Sequence, residues 1–298
     1  MFGFLNVAKP VGQTSRRVVD RVQAIMKPLK VGHTGTLDPL ASGVLVLAIG
    51  PATRLAKYLL HHSKHYQGEF RLGCSSNTDD LEGELNVLGS APEIERDALI
   101  SALSGFTGCI RQRPPAYSAI KVNGQRAYRL ARKGVAVELA ERPVSIYELE
   151  LIQYEYPDFK LAIHCSGGTY VRALGRDLGI HLGSAAVMTG LCRTGVGEFR
   201  LQESLDWSDL DKAAIESNLC SPLDCLPEIP TVVVDLSVIS KLANGTMVEL
   251  DHPADLVAAV DNQQRLMALM VRQGNLFRPG TNFVHYWMER DYQSMESS

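Results

Sequence analysis

The sequence predicts an α+β fold: a mixed sheet with irregularly interleaved helices, followed by a small β-barrel. Three observations predict it. Segments with two-residue alternation and segments with helical spacing follow one another without a regular strand–helix–strand repeat. A proline-rich stretch with little periodicity, Ser221–Pro230, marks a boundary. Beyond it come short strand candidates and one helical piece, the pattern of a small barrel. The chain has 298 residues, 45% hydrophobic and 21% charged, which suffices for one large core and a small one. It contains no internal repeat and no low-complexity tract.

The elements follow in order. Phe4–Ala8 reads as a strand, and Lys9-Pro10-Val11-Gly12 turns the chain. Thr14 is placed to cap a helix running to Met26, with Val18, Val22, Ile25 and Met26 on one face and Pro28 closing it. A glycine-rich turn at Gly32–Gly43 leads into the apolar run Val44–Ile49, and a helix is expected over Thr53–His61. Tyr66–Gly73 alternates like a strand, and Asn77–Asn86 is acidic and turn-like. Ile94–Leu103 has helical spacing, and Arg113-Pro114-Pro115 breaks the chain after it. Gly124 marks a turn before a basic helix at Ala127–Lys133. Val144–Tyr154 and Lys160–Cys165 read as strands, Gly167-Gly168 ends the second, and Tyr170–Leu178 reads as a helix. After the boundary, Thr231–Asp235, Met247–Leu250, Leu256–Val260 and Leu266–Arg272 are strand candidates. Ser237–Ala243 is a helix before the turn Asn244-Gly245.

Composition excludes several classes. No basic segment followed by a long apolar core opens the chain, so no signal peptide is expected. No apolar run approaches the roughly 20 residues that cross a bilayer. The 6 cysteines are scattered without a Cys-x-x-Cys pair, which fits reduced thiols in a cytoplasmic protein. His61, His62 and His65 have ligand-like spacing, but no nearby cysteine or acid completes a metal set.

The net charge of −3 argues against a nucleic-acid partner until its distribution is read. Residues 202–298 carry 6 basic and 15 acidic side chains, whereas residues 1–201 carry 24 and 18. Between Phe106 and Val137 lie Arg111, Arg113, Lys121, Arg126, Arg129, Arg132 and Lys133, with no acid and with Tyr117 and Tyr128 interleaved. Cations neutralise phosphates and aromatic rings stack on unpaired bases. The plain alternative is a solvated face.

Asp38 stands within Gly32-His33-Thr34-Gly35-Thr36-Leu37-Asp38-Pro39-Leu40-Ala41-Ser42-Gly43. Asp before a helix with Pro in its first turn is a capping pattern. A carboxylate held by glycine turns can equally be a reactive group. The run is neither a Walker A loop nor a dinucleotide-binding fingerprint. Spacing alone leaves both readings open.

Five segments, in order over residues 1–200, resemble the TruB-type pseudouridine synthases. They are Lys9-Pro10-Val11-Gly12-Gln13-Thr14-Ser15, the Gly32–Gly43 run, Tyr117-Ser118-Ala119-Ile120-Lys121, Cys165-Ser166-Gly167-Gly168-Thr169-Tyr170-Val171-Arg172 and Leu191-Cys192-Arg193. The resemblance implies a pseudouridine-synthase fold, with a mixed, largely antiparallel central sheet and an RNA cleft over residues 1–228. An insertion over about 77–133 would grip the T-loop of tRNA, and residues 229–298 would form a PUA-like RNA-binding domain. The implied reaction converts uridine 55 of tRNA to pseudouridine: the N1–C1′ bond breaks, the uracil rotates and C5 bonds to C1′. No cofactor, no metal and no obligatory protein partner is implied. The implied partner is tRNA, through its T-loop and acceptor arm, and a monomer is expected.

The same resemblance assigns the site residues. Asp38 would add to the uracil ring at C6 or assist departure of the base at the sugar, ionised in either case. Arg172 would hold that carboxylate with both arms of its fork. Tyr66 would stack on the flipped base and help move the C5 proton. Tyr170 and Leu191 would close the pocket, and His33 would meet RNA as a neutral imidazole. Lys9, Arg126, Arg129 and Lys133 would hold phosphates, which position more than they specify. Read without the resemblance, Tyr66, Tyr170 and Leu191 are core residues, and Arg172 is a surface helix residue paired with Asp177. Other functions weighed are a tRNA-folding chaperone, a synthase of the same type acting on guide-RNA-bound ribosomal RNA, and a base hydrolase. The lack of a basic N-terminal extension favours the stand-alone form.

Overall fold

The computed structural model describes residues 2–118, 120–122, 124–137 and 139–296, the last five of them by backbone only. Ala119, within the Tyr117–Lys121 segment, lies outside the described residues.

Strand β1 (Gly3–Lys9) leads into helix α1 (Ser15–Ile25). The cap is the expected one: the Thr14 hydroxyl accepts from the Arg17 N–H at 3.1 Å. Strands β2 (Val31–His33) and β3 (Ala41–Ile49) follow. Both faces of β3 are covered, which explains its unbroken apolar run. Leu45, Leu47 and Ile49 pack with Val18 and Val22 of α1. Val44, Val46 and Ala48 pack with Phe2, Phe4, Leu226 and Phe283 on the other side.

The helix expected over Thr53–His61 is shorter: a 3₁₀ turn at Gly50–Arg54 precedes α2 (Ala56–Leu59). The Lys64 ammonium takes the carbonyls of Leu60 and His62, which ends the helix and starts β4 (Lys64–Leu72). Next come β5 (Cys74–Ser76), β6 (Leu85–Val87), α3 (Arg96–Leu103), β7 (Gly108–Gln112), β8 (Lys121–Val122), β9 (Gln125–Arg126) and α4 (Ala127–Ala131). The long strands β10 (Arg142–Glu155) and β11 (Asp158–Cys165), helix α5 (Val171–His181) and strand β12 (Ala186–Val196) complete the frame. The short pieces β13 (Phe199–Arg200), β14 (Leu205–Asp206), α6 (Lys212–Ser217) and β15 (Leu219–Cys220) trim its edge.

Among the described residues 11 strands form one sheet, with the path β14-β1-β3-β12-β4-β11-β10-β7. Its pairs are antiparallel except β1–β14 and β3–β12. The β3–β12 pair matters most, because Arg193 lies beside Gly43 in parallel register. Gly43 has φ +102°, and a Cβ there would stand 2.2 Å from the Arg193 carbonyl oxygen. Only glycine permits this approach. The sequence reading passed over β12, because irregular register at Gly190 and Gly195 interrupts its alternation.

The C-terminal stretch holds β16 (Thr231–Val233), α7 (Leu236–Ala243), β17 (Leu256–Val260), β18 (Leu266–Gln273), β19 (Leu276–Asn282) and α8 (Val284–Glu296). Among the described residues it is a 4-stranded sheet, β16-β17-β18-β19, and not a closed barrel. Met247–Leu250 is not a strand; Val248 makes one isolated bridge to Phe277. This stretch shares a core with the first strands. Ile229, Ala258, Leu269 and Phe283 join Phe2 and Phe4, and the Phe2 and Phe283 rings stack at 5.1 Å.

Candidate active site

A cleft of about 540 Å³ opens between the Gly35–Asp38 loop, the start of α5 and strands β4 and β12. Asp38, Tyr66, Tyr170, Arg172, Leu191 and Arg193 line it. Four separate stretches of chain thus bring five of the expected residues together.

No helix follows Asp38. The Ala41 N–H donates to the Asp38 carbonyl at 3.1 Å, which closes a turn, and β3 begins at Ala41. The capping reading is therefore replaced. The loop is instead pinned from outside. The Ser15 hydroxyl, in the first turn of α1, accepts from the Leu37 N–H at 2.8 Å and donates to the Leu37 carbonyl at 2.9 Å. The Gly12 N–H donates to the Pro39 carbonyl at 2.8 Å. Arg193 donates to the carbonyls of Gly35 at 3.2 Å and Thr36 at 3.4 Å. The first segment, Lys9–Ser15, and the last, Leu191–Arg193, are thus the clamps of the second.

Arg172 is 5% exposed at the start of α5. Its Nε stands 3.0 Å from Asp38 Oδ2, off the hydrogen-bonding direction, so the contact is an ion pair rather than a directed bond. The expected two-bond fork on Asp38 is not what forms. The Nη1 donors go to the Thr78 carbonyl at 2.8 Å and to Asp80 Oδ2 at 3.1 Å, and Nη2 donates to the Tyr117 carbonyl at 3.2 Å. Asp80 is 1% exposed and is held by the Thr78 hydroxyl at 2.6 Å and the Glu82 N–H at 3.0 Å. The residue paired with Asp177 is Arg176, not Arg172. Asp80 is a site residue that sequence reasoning missed, since an acid in an acidic turn carries no signal of burial.

Burial pushes the Asp38 carboxyl above its ordinary value. Arg172 opposes this most strongly, Asp80 adds to it, and Lys9 and Arg193 oppose it further. Burial likewise raises the Tyr66 phenol, and the charge of Arg193 is the main opposing influence. Tyr170 is fixed by the buried amide of Gln112, which accepts from its N–H at 2.8 Å and donates to its carbonyl at 3.0 Å. The Arg142 guanidinium lies 5.1 Å over the Tyr170 ring.

Three placements differ from expectation or stand apart. Lys9 is 1% exposed, and its ammonium donates to the carbonyls of Pro10 at 2.9 Å and Gln13 at 2.6 Å. It fixes a turn, and its ammonium is directed at main-chain carbonyls rather than at solvent. Burial lowers it to about 8, with Asp38 the main opposing charge. His33, at the end of β2, does not line the cleft, and its Nδ1 is buried without a hydrogen-bond partner. Burial, then Arg193 and Arg16, lower its imidazole below the usual value, which favours the neutral form. Arg126, Arg129 and Lys133 are exposed on and after the β9–α4 arm. That arm is joined to the cleft rim, because Ala127 N–H donates to the Ile120 carbonyl and Tyr128 N–H to the Ser118 carbonyl. Among the described residues no group of three or more His, Cys, Asp or Glu is disposed to hold a metal ion.

Comparison with known proteins decides the family. The profile of the TruB family pseudouridylate synthase N-terminal domain matches residues 23–171. The chain is 39% identical over 276 residues to tRNA pseudouridine synthase B of Dehalococcoides mccartyi, covering 91% of this chain and 92% of that protein. The chain belongs to the TruB family of pseudouridylate synthases. Over 280 residues it is also 40% identical to tRNA pseudouridine synthase B of Caldanaerobacter subterraneus, covering 93% of this chain and 97% of that one. Among solved structures, the TruB-family chain is similar to one in a Cbf5-Nop10-Gar1 complex, with a TM-score of 0.70 and 26% identity over 91% of this chain and 78% of that one. A chain of an H/ACA RNP bound to a substrate RNA containing 2′-deoxyuridine shares the fold, with a TM-score of 0.71 and 24% identity over 95% of this chain and 85% of that one.

Proposed function

We propose that this TruB-family chain isomerises uridine to pseudouridine at position 55 in the T-loop of tRNA, with Asp38 as the reacting carboxylate. The observation that carries the reading is the Asp38–Arg172 pair in the cleft: a half-buried acid beside a buried cation that offsets the cost of its ionisation. In the reaction the N1–C1′ bond breaks, the uracil turns, and C5 bonds to C1′ with loss of the C5 proton. Product and substrate have the same atoms, so the step consumes no oxidant or reductant.

The cleft suits a base taken out of its stack, an extrusion that costs a few kcal/mol. Tyr66 offers a flat face to the uracil, and Tyr170 and Leu191 close the sides. His33, behind the loop, meets RNA as a neutral ring. Arg126, Arg129 and Lys133 hold backbone phosphates of the T-loop. Residues 229–298 act as a PUA-like RNA-binding unit on the acceptor arm, and residues 77–133 as the insertion that grips the loop. The protein works as a cytoplasmic monomer without a cofactor.

The test is incubation with an unmodified tRNA transcript tritiated at C5 of uridine. Tritium release, followed by mapping of pseudouridine to position 55, is the expected result. Release mapped elsewhere would overturn the assigned position, and no release with tRNA bound would overturn the reaction. Release of free uracil would mark a hydrolase instead.

A further inference from the structure

Arg193 has so far pinned the loop and lent its charge to the groups around it, and its setting is unusual. It is 2% exposed, yet it lines the cleft. Among the described residues no carboxylate forms an ion pair with it. Its three mapped main-chain acceptors are the carbonyls of Val44 at 2.7 Å, Gly35 at 3.2 Å and Thr36 at 3.4 Å. A buried guanidinium without a counter-ion is costly and is retained where its charge has work to do.

The sheet shows where that charge is directed. Arg193 of β12 and Tyr66 of β4 are direct cross-strand partners in antiparallel register, so both side chains leave the same face of the sheet into the cleft. Gly43 makes room for the third strand beside them. A guanidinium has five N–H donors, so three carbonyls leave donors for a phenol oxygen. Against the effect of burial, the Arg193 charge bears on the Tyr66 phenol and lowers it. Arg172, in contrast, serves the two carboxylates Asp38 and Asp80.

We propose that Arg193 is the positioning residue of Tyr66: it aims the phenol oxygen at C5 of the flipped uracil and balances the negative charge on that oxygen while it takes the C5 proton. The inference rests on the reaction proposed above. In the step concerned the C5–H bond breaks and its electron pair forms the C5=C6 bond, while C6 gives up a bonding pair in exchange: the C6–O pair returns to Asp38 where the carboxylate has added, or the C6=N1 pair returns to N1, which takes a proton from water. The C5 proton passes to the phenolate oxygen and then to water. The site then divides its cations: Arg172 for the acid that meets the uridine first, Arg193 for the base that finishes the product.

A double-mutant cycle with Arg193→Lys, Arg193→Met, Tyr66→Phe and the combined variants tests this by single-turnover tritium release. Tyr66→Phe and Arg193→Met are each expected to slow release about 100-fold, with tRNA affinity within about threefold of wild type. The double variant should be no slower than the worse single one, because the second change removes a partner already idle. Arg193→Lys, which keeps the charge, should recover part of the rate. The pH profile supplies a readout that a structural role does not move. The groups acting on Tyr66 are Arg193, Cys165 and Asp38, so removal of the Arg193 charge should move the rise of the rate to higher pH. Losses that multiply in the double variant, or a profile unmoved in Arg193→Met, would overturn the proposal. So would loss of the native melting transition in both Arg193 variants, which would assign the residue to folding. A wild type that releases no tritium would instead strike the reaction itself.

Discussion

The loop that carries Asp38 and the arm that carries Arg126, Arg129 and Lys133 are both turn-rich and polar, and they are built in opposite ways. In the loop, the main chain from Gly35 to Pro39 is held by side chains and backbone from elsewhere: Arg193, Ser15 and Gly12. In the arm, β8 and β9 pair over two residues each, and the cations face solvent. The difference fits the tasks proposed for the two regions. A reacting carboxylate has to be held in place before the substrate arrives, since a displacement of about 1 Å can cost roughly 100-fold in rate. Phosphate contacts act through charge and tolerate looser placement. Where a polar side chain is buried and bonded to main chain, it builds the site; the exposed cations of the arm are those proposed to meet RNA.

The comparison predicts a graded set of effects. The largest is Asp38→Asn, expected to cut single-turnover tritium release by about 10⁴-fold or more while tRNA affinity stays within a few-fold. Release above that floor would break the comparison, because another group would then carry the chemistry. Asp80→Asn comes next. It weakens the hold on Arg172 without touching RNA, and a loss of about 100-fold in rate is expected. An unchanged rate would mean that Thr78 and Tyr117 suffice to fix the guanidinium.

Two lysines sharpen the contrast further. Lys9→Met deprives the Pro10 and Gln13 carbonyls of their donor, so denaturant melts should show a loss of about 1–3 kcal/mol, with the salt dependence of tRNA binding unchanged. Lys133→Ala should do the reverse, with no change in melting and a slope of log K against log salt shallower by about one. Arg126→Ala should lower the slope by a similar amount. A slope altered by Lys9 and not by Lys133 would invert the assignment of the two regions.

The smallest effect is on pH dependence. Asp38 has to be ionised to react, so the rate should fall as pH is lowered through a midpoint above the ordinary 3.8. The folded site binds this proton more tightly than the unfolded chain does. Stability held below 3.8 is therefore lost as pH rises through the raised value. Asp38→Asn should accordingly melt slightly above wild type at pH 7 and level with it below that range. Equal melting at both ends would mean that Arg172 cancels the cost of burial in full.

Much of this was legible in the sequence for physical reasons. α1 announced itself by a Thr14 cap and one apolar face, and β4 by strict alternation. Four residues of the cleft were named within ordered segments, and Tyr66 from the resemblance those segments carry. What escaped depended on contacts between distant stretches. β12 hid behind two irregularities at glycines, and α8 lies where only its packing over β18 reveals it. Asp80 read as one acid of an acidic turn, and Arg193 only as the end of a resembling segment, because burial of a charge is decided by partners that spacing does not show. Lys9 differs in the opposite sense: a lysine near a turn gives no sign in the sequence that its ammonium is buried and donates to carbonyls. Asp38 misled locally, since Asp-Pro opens helices more often than it closes a turn into a strand. The C-terminal strands were largely placed, whereas closure of a barrel depends on pairings that strand counts cannot supply.

The division of labour is tested most directly by two proteins assayed side by side at saturating tRNA: Asp38→Asn, and the triple arm variant Arg126→Ala, Arg129→Ala, Lys133→Ala. Tritium release and dissociation constant are measured for each. The expected result is that Asp38→Asn binds like wild type and releases nothing, whereas the arm variant binds weakly and reacts at the wild-type rate once saturated. An arm variant that stays slow at saturation, or an Asp38→Asn protein that still releases tritium, would contradict it.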